Sequence, residues 1–218
     1  MATTVETTFT YDTLADVDAA AQSVPLQRIR MHPLPGTATE EDVLRVHAKE
    51  KRLCELIDGI LVEKAVGAYE SYLAIRLGEL LSAFVRQQDL GVILGEGGMM
   101  RLAPGLVRIP DLTFIGWDQL PGRVFPRRPI PDLHPDLAIE VLSESNTATE
   151  MQRKLQDYFA AGAQQVWYLE PRRQEMQVYT AVDAYHVVSS DGMLDGGEVL
   201  PGFATPLSTI FDVPLSAE

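Results

Sequence analysis

Pro135-Asp136-Leu137-Ala138-Ile139-Glu140-Val141-Leu142-Ser143 decides how this chain folds. Leu137, Ala138, Ile139, Val141 and Leu142 form a short apolar run, the pattern of a buried strand. Glu140 sits in the middle of it. A carboxylate inside a buried strand is costly unless something pairs it. Downstream, Thr147 and Glu150 fit a capping box that opens a helix over 147–162. Met151, Leu155, Tyr158 and Phe159 make its buried face, with Lys154 at the edge of that face, and Gly162 ends it. Val166-Trp167-Tyr168-Leu169 then reads as a second buried strand.

Upstream, Val107–Ile115 reads as one strand. Alternation places Asp111 on the face of Val107, Ile109, Thr113 and Ile115. Pro110 cannot donate to a ladder, so the strand is bulged or at an edge there. Asp111 is thus a second carboxylate turned inward. If its strand neighbours that of Glu140, the backbones lie about 4.8 Å apart. Two acids so placed can share a divalent cation through oxygen ligands. Alternatively, each pairs with an arginine such as Arg101 or Arg108. Lys154 is either a snorkelling residue at a helix boundary or a cation that reaches this site to orient a water or steady phosphate charge.

The remaining chain predicts a helix over Ala38–Lys51, with Glu40, Glu41 and Asp42 in its first turn, and a hairpin over Leu53–Glu63 turning at Asp58-Gly59. Tyr69–Gln87 predicts a long amphipathic helix. Val92–Leu94 and Met99–Leu102 read as strands, 116–134 as a loop rich in Pro and Arg, Gln177–Thr180 with Tyr185–Val188 as an antiparallel pair, and Val199–Phe211 as a final packing segment. The expected fold is α/β (α+β): a mixed central sheet flanked by helices, with extra β-hairpins at both ends. Residues 1–37 read as an N-terminal extension with little core of its own, ordered by packing on a partner subunit, and 38–213 as the main domain.

Charge bears on function. The net charge of −13 argues against a nucleic-acid binder. Its placement weakens that objection. Residues 1–20 and 174–218 together hold eleven acids and no Lys or Arg, which leaves −2 for residues 21–173. Arg123, Arg127 and Arg128 around Phe125 form a basic patch, read as a phosphate contact or a solvated loop. The single cysteine, Cys54, reads as a small buried residue and fits a reducing compartment. The four histidines show no metal-ligand spacing. No signal peptide or membrane-length apolar run is recognisable, so the expected location is the cytoplasm, with no membrane partner.

Taken together, Glu55-Leu56-Ile57-Asp58-Gly59, Ile109-Pro110-Asp111, Pro135–Ser143, Lys154 with Tyr158, Gly162 and Val166-Trp167-Tyr168-Leu169 resemble the Uma2 family of putative restriction endonucleases, within the PD-(D/E)XK nuclease superfamily. The resemblance spans roughly residues 39–212. It implies a restriction-endonuclease-like core and a metal-dependent endonuclease acting on DNA phosphodiesters. Asp111 and Glu140 would hold Mg²⁺ or Mn²⁺ with the backbone carbonyl of Val141, and Lys154 would be the catalytic lysine. The superfamily's usual lysine position is Leu142 here, so that amine would come from the following helix. Many relatives have a His near the start of the long helix, where this chain has Tyr69-Glu70-Ser71. Glu70, Glu96 and Tyr158 are further site candidates. A homodimer would give one cleft per DNA strand. The alternatives are an inactive nuclease-fold binding protein and a metal-dependent hydrolase of another phosphoester.

Overall fold

The computed structural model describes residues 9–21, 24–65 and 67–212. The elements run, in chain order, α1 (Leu14–Ala20), α2 (Glu40–Glu50), β1 (Cys54–Ile57), β2 (Ile60–Glu63), α3 (Ala68–Gln87), β3 (Gly91–Leu94), β4 (Met100–Ala103), β5 (Leu106–Arg108), β6 (Leu112–Gly116), β7 (Leu137–Val141), α4 (Ala148–Ala161), β8 (Gln165–Glu170), β9 (Glu175–Ala181), β10 (Ala184–Val188), β11 (Met193–Asp195), β12 (Ala204–Pro206) and α5 (Ser208–Phe211).

Three sheets result. The largest has six strands in the order β10-β9-β8-β7-β6-β3, a second has four in the order β2-β1-β5-β4, and β11 pairs with β12. Only β7 and β8 pair in parallel within the six-stranded sheet, joined by the crossover helix α4. The alternation of β7 sorts its two faces. Leu137, Ile139 and Val141 pack with Leu73, Leu77 and Leu81 of α3 and with Trp167. Ala138, one residue out of phase, packs with Met151, Leu155 and Tyr158 of α4. Helices α3 and α4 therefore cover opposite faces, and Glu140 shares the α4 face with Ala138.

Two expectations need correction. Val107–Ile115 is not one strand. It breaks at Ile109-Pro110-Asp111 into β5 and β6, which belong to different sheets. Pro110 supplies the reason, since it interrupts a ladder and lets the chain leave one sheet for the other. Face alternation across 107–115 is accordingly void. The segment 199–211 also contains more than packing: β12 and α5, with β12 closing a hairpin on β11.

The first hairpin turns at Asp58 and Gly59, both with positive φ (48° and 74°), as a two-residue primed turn requires. The described residues before 40 pack on this chain's own hairpin. Val17, Ala21 and Val24 meet Ile57, Ile60 and Val62, and Arg30 N donates to Leu61 O at 2.9 Å.

Candidate active site

The β6–β7 register pairs Leu112 with Ile139 and Thr113 with Ala138. Extending it by one residue sets Asp111 opposite Glu140. Both side chains line one cleft of about 170 Å³, with Lys64, Lys154, Glu70, Glu96 and Val141 also in its wall. The structure thus brings the predicted acids and lysine together.

Each acid is held by its own lysine. Asp111 Oδ1 lies 2.8 Å from Lys64 Nζ, and its Oδ2 accepts from Val141 N at 2.7 Å. Glu140 Oε1 accepts from Lys154 Nζ at 2.8 Å and from the Tyr158 hydroxyl. Neither acid meets an arginine. Arg101 pairs with Glu40 and Asp132, and Arg108 with Glu55 and Asp157. The reading of Arg101 or Arg108 as partner is corrected on that geometry.

Lys154 is buried at 3 % exposure, which rules out the snorkelling alternative. Its Nζ also lies 3.4 Å from Glu55 Oε1. Glu55 accepts from Arg108 Nη1 at 2.7 Å and from Ile109 N at 3.1 Å, and Arg108 Nε donates to Asp157 at 2.9 Å. A buried charge chain therefore runs Glu140–Lys154–Glu55–Arg108–Asp157 across both main sheets. Burial would depress the Lys154 amine, but Glu140 and Glu55 outweigh it and raise it above its ordinary value. Burial pushes the Glu140 carboxyl up. Lys154 draws it back, and the Asp111 charge adds to the rise.

The lower-ranked candidates divide. Tyr158 touches Glu140 directly. The Glu70 carboxylate folds over the start of α3, where a Cβ on Gly67 would collide with it. Glu96 sits on the exposed turn after β3. The Arg123, Arg127 and Arg128 loop follows the far end of β6, about 17 Å along the strand from Asp111 at ~3.3 Å per residue, and makes no part of the cleft.

Sequence reasoning assigns no place at the cleft to four residues. Lys64 follows β2 and gives no pattern signal. Glu55 gives the same signal as Glu140, an acid inside an apolar run, and was legible on that ground. Arg108 was recognised only as a partner for the wrong acids. Arg28 precedes the main domain, yet lines the cleft and grips Glu150 at 2.8 and 3.0 Å.

The donor set suits a hard divalent cation. Among the described residues no group of three or more His, Cys, Asp or Glu side chains could hold a metal ion. A cation here would rest on two carboxylates and a carbonyl, with water and phosphate completing its shell, as Mg²⁺ favours. Val141 N points toward Asp111, and in an extended strand the carbonyl of the same residue leaves on the same edge.

A model of the Uma2 family, described as putative restriction endonuclease, matches residues 40–209. A solved structure, a putative nuclease belonging to DUF820 from Anabaena variabilis ATCC 29413, is similar at a TM-score of 0.65 and 18% identity, over 74% of this chain and 90% of that one. At that identity the likeness is one of fold, a mixed α+β architecture. No curated protein matches. Among the described residues no helix is long and apolar enough to cross a membrane.

Proposed function

This chain belongs to the Uma2 family, described as putative restriction endonucleases, and on that premise we propose that it is a Mg²⁺- or Mn²⁺-dependent endonuclease hydrolysing DNA phosphodiesters. The observation that carries the reading is the pairing of Asp111 with Glu140 across β6 and β7 in a cleft that also holds two lysines. Asp111, Glu140 and the Val141 carbonyl would hold the cation. When bound, it draws charge from the phosphate and acidifies a water.

The chain's own groups have separable tasks. The Val141 amide fixes the Asp111 carboxylate, and the Tyr158 hydroxyl fixes Glu140. The raised Lys154 amine stays an ammonium near neutrality. It therefore cannot serve as a base there. It donates hydrogen bonds, orienting the attacking water or stabilising charge on the phosphate as water adds to phosphorus and the P–O bond breaks. The unit that does this is residues 38–213, to which the 1–37 segment lends Arg28.

Plasmid cleavage with Mg²⁺ or Mn²⁺ tests the reading, with wild type set against Asp111→Ala. Nicking or linearisation by wild type alone is expected. Equal cleavage by both would overturn it. One observation favours a rival: both acids are already neutralised inside the chain, which suits a nuclease-fold protein that binds without cutting. Duplex binding without cleavage under every divalent ion would select that rival. As an endonuclease of duplex DNA the protein works in the cytoplasm as a homodimer, one cleft per strand. A monomer mass by light scattering at micromolar concentration would remove the dimer.

A further inference from the structure

Among the described residues that line the cleft, Lys64 is the cation held by the fewest charged contacts. Arg28 is bound bidentately to Glu150. Lys154 lies between two buried carboxylates, Glu140 and Glu55. Lys64 touches a single carboxylate, Asp111 Oδ1 at 2.8 Å, and a neutral carbonyl, Ile109 O at 2.6 Å, while Glu140 and Glu55 act on it only from longer range. It stands just beyond the end of β2, with its backbone N donating to Leu53 O at 2.9 Å and its side chain only 5 % exposed. Its ammonium is compact and hangs on a flexible four-carbon stem.

Asp111 is also the carboxylate that a divalent cation would take. Its Oδ2 is occupied by the Val141 amide and its Oδ1 by Lys64. A divalent ion approaching Oδ1 meets an ammonium already ion-paired with the same oxygen at 2.8 Å. Two cations at such spacing, in a cleft walled by protein, repel strongly.

We propose that Lys64 is the resident counter-ion of Asp111, which neutralises this carboxylate when the cleft holds no divalent ion and must be displaced for one to bind. The inference rests on the metal reading above. It explains how two facing carboxylates can coexist without a divalent ion: each has a lysine, but only Asp111's lysine lacks a second acid in direct contact. Lys64 thereby sets the divalent-ion concentration at which the site fills, and its release leaves an ammonium facing a cleft built for a phosphate.

The test is Mn²⁺ binding to the full chain, followed by calorimetry and by the paramagnetic resonance of free Mn²⁺. Wild type, Lys64→Met, Lys64→Arg and Asp111→Asn are compared. Removing the competing charge should tighten Mn²⁺ binding by about tenfold or more in Lys64→Met. Lys64→Arg should bind no tighter than wild type, and Asp111→Asn should lose the site. Saturable binding to wild type with equal or weaker binding to Lys64→Met overturns the counter-ion role and leaves the metal reading standing. No saturable binding to wild type or Lys64→Met overturns both. A second measurement needs no variant: acetylation of wild-type amines, mapped by mass spectrometry. Lys64 should be protected without Mn²⁺ and reactive at saturation, while Lys154 stays protected in both. Equal protection of Lys64 in both states overturns the proposal.

Discussion

Glu55 of the four-stranded sheet and Glu140 of the six-stranded sheet share one ammonium, that of Lys154, at 3.4 and 2.8 Å. The sharing fixes the spacing of the two sheets at the candidate site. It also gives Lys154 a structural role. Lys154→Met would leave two buried acids without their common cation, at a cost of about 3–5 kcal/mol. Urea denaturation near neutrality measures this. The deficit should shrink in mild acid, where Glu140, already pushed up by burial, takes a proton first.

Acid stability should depend on Glu55. Burial opposes its charge, yet Lys154 and Arg108 hold its carboxyl down to about 2, from an ordinary 4.5. The folded value lies below the unfolded one. The stabilisation is therefore complete above about 4.5 and is lost as pH falls toward about 2. A gap of that size is worth on the order of 3 kcal/mol. Glu55→Gln should be less stable near neutrality and should lose less on acidification. Parallel pH–stability curves for the two proteins would contradict this.

Arg28 should be worth more than its place before the family-matched region suggests. It joins Glu150 at 2.8 Å, with side-chain exposures of 11% and 2%, and also donates to Glu63 O at 2.8 Å. It ties β2 to the start of α4 and to the Ser143–Thr147 turn at the cleft. Arg28→Ala leaves Glu150 buried with only a long hydrogen bond from Asn146 Nδ2 at 3.4 Å, which costs about 3 kcal/mol. Hydrogen exchange should quicken first over residues 143–150, before α3 responds. Uniform quickening would argue against a local latch.

Tyr158→Phe tests the other hold on Glu140. The hydroxyl donates to Glu140 Oε1, and a hydrogen bond to a charged group is worth about 1.5–3 kcal/mol. The variant should fold, because Tyr158 packs with Met151, Leu155 and Ala138 through its ring. Its thermal midpoint should fall, and Glu140 should become harder to ionise. An unchanged midpoint would show that the hydroxyl bond contributes nothing.

Much of the fold was legible because it is local. The Asp58-Gly59 turn, the Thr147 cap and the Gly162 stop each act over a few residues, and each lies where the pattern puts it, but the expected capping box is only half formed, since the Glu150 carboxylate turns to Arg28 instead of the Thr147 backbone. The pairing of Asp111 with Glu140 was legible because two acids interrupt two apolar runs. The break at Pro110 was half legible: the proline announced an irregularity but not a change of sheet. Lys64 and Arg28 were hidden for another reason. Their partners lie 47 and 122 residues away, at Asp111 and Glu150. An ion pair over that separation leaves no periodicity, and only the closed fold brings its ends together.

The crossing at Ile109-Pro110-Asp111 has a mechanical consequence. Glu55 and Lys64 hang from the small sheet, and Asp111 and Glu140 from the large one. The cleft is a seam between two panels rather than a pit in either. Whatever parts the panels dismantles it, even while the large sheet and its helices keep their ladders. Warming should therefore part the Lys64–Asp111 and Lys154–Glu55 contacts below the temperature at which circular dichroism registers unfolding, and a preparation that looks folded can already have lost its cleft.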